Sequence, residues 1–158
     1  MNFNKDQSGE EFYVFINVSK GSKNFYDKEN QTDTLVMMKT IEQPFPGNYG
    51  FVPNSFHDDG GTLDAIVLTE EPLEPGIVVK TKAIGVIRLT GKVNDDIIIA
   101  VPFDKKINDV SELSMNQLNM ITAYFESFKN LKTQKVFDSM HAKKTVQHAI
   151  KRYSEEER

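Results

Sequence analysis

The chain has 158 residues, 23 acidic against 19 basic side chains and a formal net charge of −4. That length suits one domain able to bury its own core, and the acidic balance lacks the basic footprint of a nucleic-acid binder. With no cysteine, disulfides, thiol nucleophiles and Cys-based zinc sites are excluded. The opening Met1-Asn2-Phe3-Asn4-Lys5-Asp6 has no apolar signal region, and no stretch approaches a membrane span, so a cytoplasmic protein without membrane contacts is expected. No repeat or linker divides residues 1–158, which read as a single domain, and the charged tail 154–158 is expected to fray.

Strand signals dominate the first two thirds. Phe12 to Val18 is rich in aromatic and β-branched residues and closes on the turn-prone Lys20-Gly21-Ser22. Leu35 to Met38, Ala65 to Leu68, Ile77 to Leu89 and Ile97 to Val101 follow, with Gly85 marking a bend or bulge inside the longest run. From Ser111 the period changes to helical. Leu118, Ile121, Phe125 and Phe128 recur on one face behind Ser114 and Gln117, which read as a capping box. A second helix is expected from Asp138 as cap, presenting Ala142, Val146, Ala149, Ile150 and Tyr153. Strands followed by helices give an α+β domain, a small closed barrel with helices packed at one side. The stripe Tyr124, Phe125 and Phe128 is read mainly as core.

The segment from Phe45 to Asp64 carries the chemistry. Asp59 and Asp64 lie on either side of Gly60-Gly61, just before the apolar run Ala65-Ile66-Val67-Leu68, so two carboxylates can converge at the mouth of a strand. Hard divalent cations take such oxygen ligands, although Asp and Gly also favour ordinary turns for local reasons. His57 beside this loop reads as a solvent-exposed turn residue rather than a ligand, having no paired histidine at ligand spacing. Asp58 and Asp96 read as solvated turn acids, with a second possibility that one of them serves as a base or ligand. His141 and His148 can stack on one helical face, read as solvated, and Lys23, Lys80, Lys82, Arg88 and Lys92 read as surface charge.

The chain resembles the soluble, magnesium-dependent inorganic pyrophosphatases. The residues that carry the resemblance are Lys20-Gly21-Ser22-Lys23-Asn24, Phe45-Pro46-Gly47-Asn48-Tyr49-Gly50-Phe51-Val52-Pro53-Asn54, Leu63-Asp64 and Pro75-Gly76. Ile84-Gly85-Val86, Ala100-Val101-Pro102, Ile107-Asn108-Asp109-Val110, Lys129-Asn130-Leu131 and Ala149-Ile150-Lys151-Arg152-Tyr153 continue in the same order over almost the whole chain. The resemblance implies a five-stranded closed barrel of the oligonucleotide-binding type with two C-terminal helices, and a catalytic funnel at one mouth. It also implies magnesium-dependent hydrolysis of diphosphate or a related phosphorylated small molecule, by a homo-oligomer.

Carried over by position, Asp59, Asp64 and Asp95 stand where the family has metal-binding aspartates, and Asp27 stands for a glutamate. Tyr49 and Lys129 fall on phosphate-contacting positions, with Asp59, Asp64 and Tyr49 the implied catalytic set. Lys39 or Met37 occupies the place of a phosphate-gripping arginine. The departures are Gly61 for the aspartate that orients the attacking water, Thr90 for another metal-binding aspartate and Asn17 for a glutamate. Phe25 and Ile97 replace two lysines, and Phe128 a tyrosine. Gly60 and Gly61 together also suit a positive-φ turn, in which case Gly61 marks a reshaped loop. Fewer carboxylates imply about one or two magnesium ions, with manganese as a substitute. Pyrophosphatase activity is expected to be weakened, a general base alone being worth roughly 100- to 10,000-fold. The alternative is an inactive relative that senses or scaffolds through phosphate and metal binding.

Overall fold

The computed structural model describes residues 9–30, 32–58 and 60–156. Five strands close into a ring: β1 (Phe12–Val18) pairs with β4 (Asn48–Val52), β4 with β5 (Leu63–Val67), and β5 in parallel with β7 (Asp95–Pro102). β7 then pairs with β6 (Val78–Thr90), which returns to β1. The expected five-stranded barrel is therefore present. β2 (Asn24–Lys28) and β3 (Leu35–Thr40) form a separate hairpin, tied to the barrel where Asn17 Nδ2 donates to the Tyr26 carbonyl at 2.8 Å.

The length of β6 follows from its two partners. Val78–Thr81 pairs with β1, whereas Val86–Thr90 pairs with β8 (Lys132–Phe137), and the register shifts between Ala83 and Gly85. A Cβ on Gly85 would sit 2.8 Å from the Cβ of Val110, so the predicted bulge also needs a glycine for packing.

The ring buries side chains on both faces, which is why its strands read as nearly continuous apolar runs. Leu63, Ala65, Val67, Ile98 and Ala100 join a core with Ala142, Val146, Ala149 and Ile150 of α2 (Ser139–Glu156). Ile66, Leu68, Ile97, Ile99 and Val101 join another with Ile121 and Phe125 of α1 (Met115–Lys129). Phe125 is fully buried and Tyr124 and Phe128 pack against that core.

Both helices start where expected, with the Ser114 half of the expected capping box formed. Gln117 N donates to the Ser114 hydroxyl at 3.1 Å, and His141 N to the Asp138 carboxylate at 3.0 Å. Asn130 caps α1 in the left-handed region at φ 55°, turning the chain into β8. At the tail, residues 154–156 continue α2 instead of fraying, and 157–158 lie outside the described residues. Among the described residues, no helix is long and apolar enough to cross a membrane.

Candidate active site

Tyr49, Asp64, Asp95 and Lys129 converge at one end of the α1-side core. Asp64 pairs across β4 with Phe51 and across β5–β7 with Ile97. Side chains alternate along a strand, so Asp64 shares its face with Tyr49, two residues along β4, and with Asp95, two residues along β7. Lys129 reaches the same point from the last turn of α1.

The Tyr49 hydroxyl donates to Asp64 Oδ2 at 2.7 Å, and Lys129 Nζ donates to the same oxygen at 2.9 Å. The ammonium also lies 3.2 Å from Asp95 Oδ2, so one cation spans two carboxylates. Burial alone would lower the Lys129 pKa, but Asp64 and Asp95 more than offset it and hold the ammonium charged. Burial first, then the Asp64 carboxylate, pushes the Tyr49 hydroxyl well above its usual range, so it stays a proton donor. Phe45 stacks on Tyr49 with ring centroids 4.6 Å apart, and Phe128 packs edge-on to both rings. This aromatic wall fixes the Tyr49 ring.

Asp59 lies outside the described residues. Asp27 sits on the β2–β3 hairpin, lining a groove of about 190 Å³ with Phe15, Phe51 and Asn54, and accepts from its neighbour Lys28 N at 2.8 Å. Because Phe51 is the cross-strand partner of Asp64, that groove adjoins the cluster without Asp27 bonding to it. Lys39 pairs with Phe25 across the hairpin and carries its ammonium 5.2 Å from that ring, while Met37 is 54% exposed. Hard oxygen donors suited to magnesium are thus present as the Asp64–Asp95 pair; among the described residues no third acid or histidine completes a group.

Ile97, at the position of a family lysine, does not face the funnel: it is fully buried in the α1-side core. Asn17 is also buried and committed to the hairpin through Tyr26, and Thr90 ends β6 opposite Lys132. Gly60 takes φ 86° in a turn where His57 N donates to the Gly61 carbonyl at 2.7 Å and Gly60 N to the His57 carbonyl at 2.9 Å.

The reading of His57 and Asp96 as exposed residues is overturned, and Arg88, read as surface charge, is only partly exposed and tied to Asp96. His57 and Asp96 are buried, with Nε2 3.0 Å from Asp96 Oδ2, and Arg88 Nε donates to Asp96 Oδ1 at 3.0 Å. Burial would raise the Asp96 pKa, yet the hydrogen bonds from His57 and Arg88 bring it below the ordinary carboxylate range. Asp96 follows Asp95 in β7 and so points to the opposite, α2-side face. The Asp95-Asp96 doublet beside a buried isoleucine run was the available signal; its partners lie in distant segments. Asp58 is exposed as expected, paired with Arg152 at 2.6 Å.

A family model described as inorganic pyrophosphatase matches residues 14–156. A Nanoarchaeum equitans protein named inorganic pyrophosphatase is 35% identical over 92% of this chain and 99% of its own length. One from Helicobacter pylori is 34% identical over 77% of this chain and 76% of its own. Among solved structures, a Helicobacter pylori inorganic pyrophosphatase superposes with a TM-score of 0.86 at 29% identity, covering 98% of both chains. The Thermus thermophilus inorganic pyrophosphatase gives 0.83 at 27% identity, covering 94% of both.

Proposed function

This chain belongs to the inorganic pyrophosphatase family, and on that footing we propose that it is a magnesium-dependent hydrolase of diphosphate or a related phosphorylated small molecule, with weakened activity. The observation that carries the reading is the single ammonium of Lys129 spanning Asp64 and Asp95 beside the Tyr49 hydroxyl. A site that gathers two carboxylates around one cation is suited to exchange that cation for a divalent ion, while the released lysine turns to a phosphate oxygen. Asp64 and Asp95, with Asp59 and Asp27 to complete the oxygen set, would hold about one or two magnesium ions. Bound magnesium supplies charge neutralisation on phosphate oxygens and makes water a better nucleophile near neutral pH.

The chain's own residues bind and orient. Lys129 and Tyr49 donate to phosphate oxygens, Lys39 supplies a further cation from the hairpin, and the aromatic wall keeps Tyr49 in place. In hydrolysis, water oxygen bonds to one phosphorus, the bridging P–O bond breaks with its electron pair going to the leaving phosphate, the water's proton is taken up by a phosphate oxygen, and two orthophosphates leave. Gly61 offers no carboxylate to take the water's proton, which limits the rate by roughly 100- to 10,000-fold relative to an enzyme with such a base.

Orthophosphate release from diphosphate with magnesium tests the reading. Slow, magnesium-dependent turnover, lost in Asp64→Asn and raised at least about tenfold in Gly61→Asp, is the expected outcome. Absence of both turnover and diphosphate binding would sink it. A second reading, a sensor or scaffold without turnover, gains support from Lys129 already neutralising the carboxylates; it predicts diphosphate binding by calorimetry with no hydrolysis. The protein is further proposed to be a cytoplasmic homo-oligomer.

A further inference from the structure

On the opposite face from the catalytic cluster, α2 and the barrel flank a half-open cavity of about 280 Å³ whose lining carries more basic than acidic side chains. His141, Lys144, His148 and Arg152 recur along α2 at spacings that place them on one side of the helix, next to the apolar stripe that anchors it. Arg88 enters from β6. Its guanidinium lies 4.9 Å from the Phe137 ring centroid, and Phe137 also stacks on His141 at 4.1 Å.

Two carboxylates face this array. Asp96 is occupied by His57 and by two N–H groups of Arg88, at 3.0 and 3.3 Å, which fixes the guanidinium and leaves it further donors. Asp58 is exposed and held by Arg152. With every histidine neutral, the lining still carries one more cation than carboxylates, in a chain whose net charge is −4. Among the described residues, Lys144 and His148 have no ion pair or side-chain hydrogen bond, so their donors are uncommitted at the cavity. A fixed arginine, an exposed lysine and histidines around a small volume match a compact polyanion with several acceptor oxygens.

We propose that this cavity between α2 and β6–β7 is an anion site that takes a phosphate group, separate from the catalytic cluster. Asp95 and Asp96 alternate across β7, so the two sites lie on opposite faces of one strand. The phosphate is either free orthophosphate or the head of a phosphomonoester.

Calorimetry on the intact protein in chelator, without magnesium or turnover, tests this with orthophosphate and adenosine monophosphate as separate titrants. Binding should persist in Lys129→Ala and weaken at least about tenfold in the double variant Lys144→Ala with His148→Ala, whose melting curve should match wild type. Tighter binding of the nucleotide would identify a phosphomonoester head, and tighter binding of orthophosphate the free ion. Wild-type affinity in the double variant, loss of all binding in Lys129→Ala, or no binding to wild type would overturn the proposal. Loss of binding in Lys129→Ala would place the phosphate on the catalytic cluster and so support the hydrolase reading while ending this one, whereas the double variant tests this site alone.

Discussion

Lys129 illustrates how one side chain can set both the stability and the metal response of a site. Its ammonium shields two carboxylates that would otherwise repel each other. In chelator, Lys129→Ala should lower stability by about 1–3 kcal/mol, the cost of leaving charged partners unpaired. The same variant should gain more from magnesium than wild type, since no built-in cation competes. A site filled at a hundredfold excess over Kd adds about 2.7 kcal/mol. Melting temperatures with and without magnesium check this; equal shifts in both proteins would show that Lys129 does not contend with metal. The raised Lys129 pKa places its contribution fully below the ordinary lysine range, to be lost only as pH rises through the folded value.

Among the elements, the short 3-10 turn Val110–Glu112 shows capping serving two elements at once. Asp109 accepts from Ser111 N at 3.0 Å and from Ser139 N at 2.9 Å, so one carboxylate caps the turn and the start of α2. These backbone N–H groups hold its pKa down to about 2. A depressed folded pKa stabilises above the unfolded value and is lost as the group protonates, so the contribution fades between about pH 4 and pH 2. Asp109→Ala should cost about 1–2 kcal/mol at neutral pH and flatten that part of the acid limb in denaturant melts. An unchanged acid limb would refute the capping account. Gly50 is fixed by closeness instead of turn geometry: a Cβ there would lie far inside van der Waals contact with the Phe15 carbonyl oxygen. Gly50→Ala should therefore destabilise by about 3 kcal/mol, read from denaturant midpoints, by forcing β1 and β4 apart.

For the whole molecule, the exposed methionines among the described residues lie on three elements outside the barrel, with Met140 66% exposed on α2. Met115 and Met120 are 70% and 62% exposed on α1, and Met37 and Met38 about half exposed on β3. Burial of such surface is what homo-oligomer formation would provide. Sedimentation should give a mass above that of one chain, reduced by Met120→Glu; a monomer at micromolar concentration would remove the oligomer proposal.

Local chemistry made much of this legible from the chain alone. Ser114 and Asp138 announced their helices because a cap acts within three residues, and short apolar runs, mostly β-branched, announced β1, β3, β5, β6 and β7. β2, β4 and β8 escaped notice because Asn24–Lys28 and Lys132–Phe137 are largely polar and Asn48–Val52 sits between prolines, so pairing partners make them strands. Asp64, Asp95, Tyr49 and Lys129 were named from their positions, but not their shared hydrogen bonds.

Side-chain type and spacing along the chain determined the fold class, the helix starts and the Asp59–Asp64 pair, since these depend on neighbours in sequence, while Asp27, Lys39, Tyr49, Asp95 and Lys129 entered through the resemblance to the pyrophosphatases. Only the closed ring decided which of them meet: it sent Asp95 and Asp96 to opposite faces, buried His57 against a carboxylate 39 residues away and enclosed Ile97 in core. Strand register and burial are long-range quantities, set by pairings that no local pattern encodes.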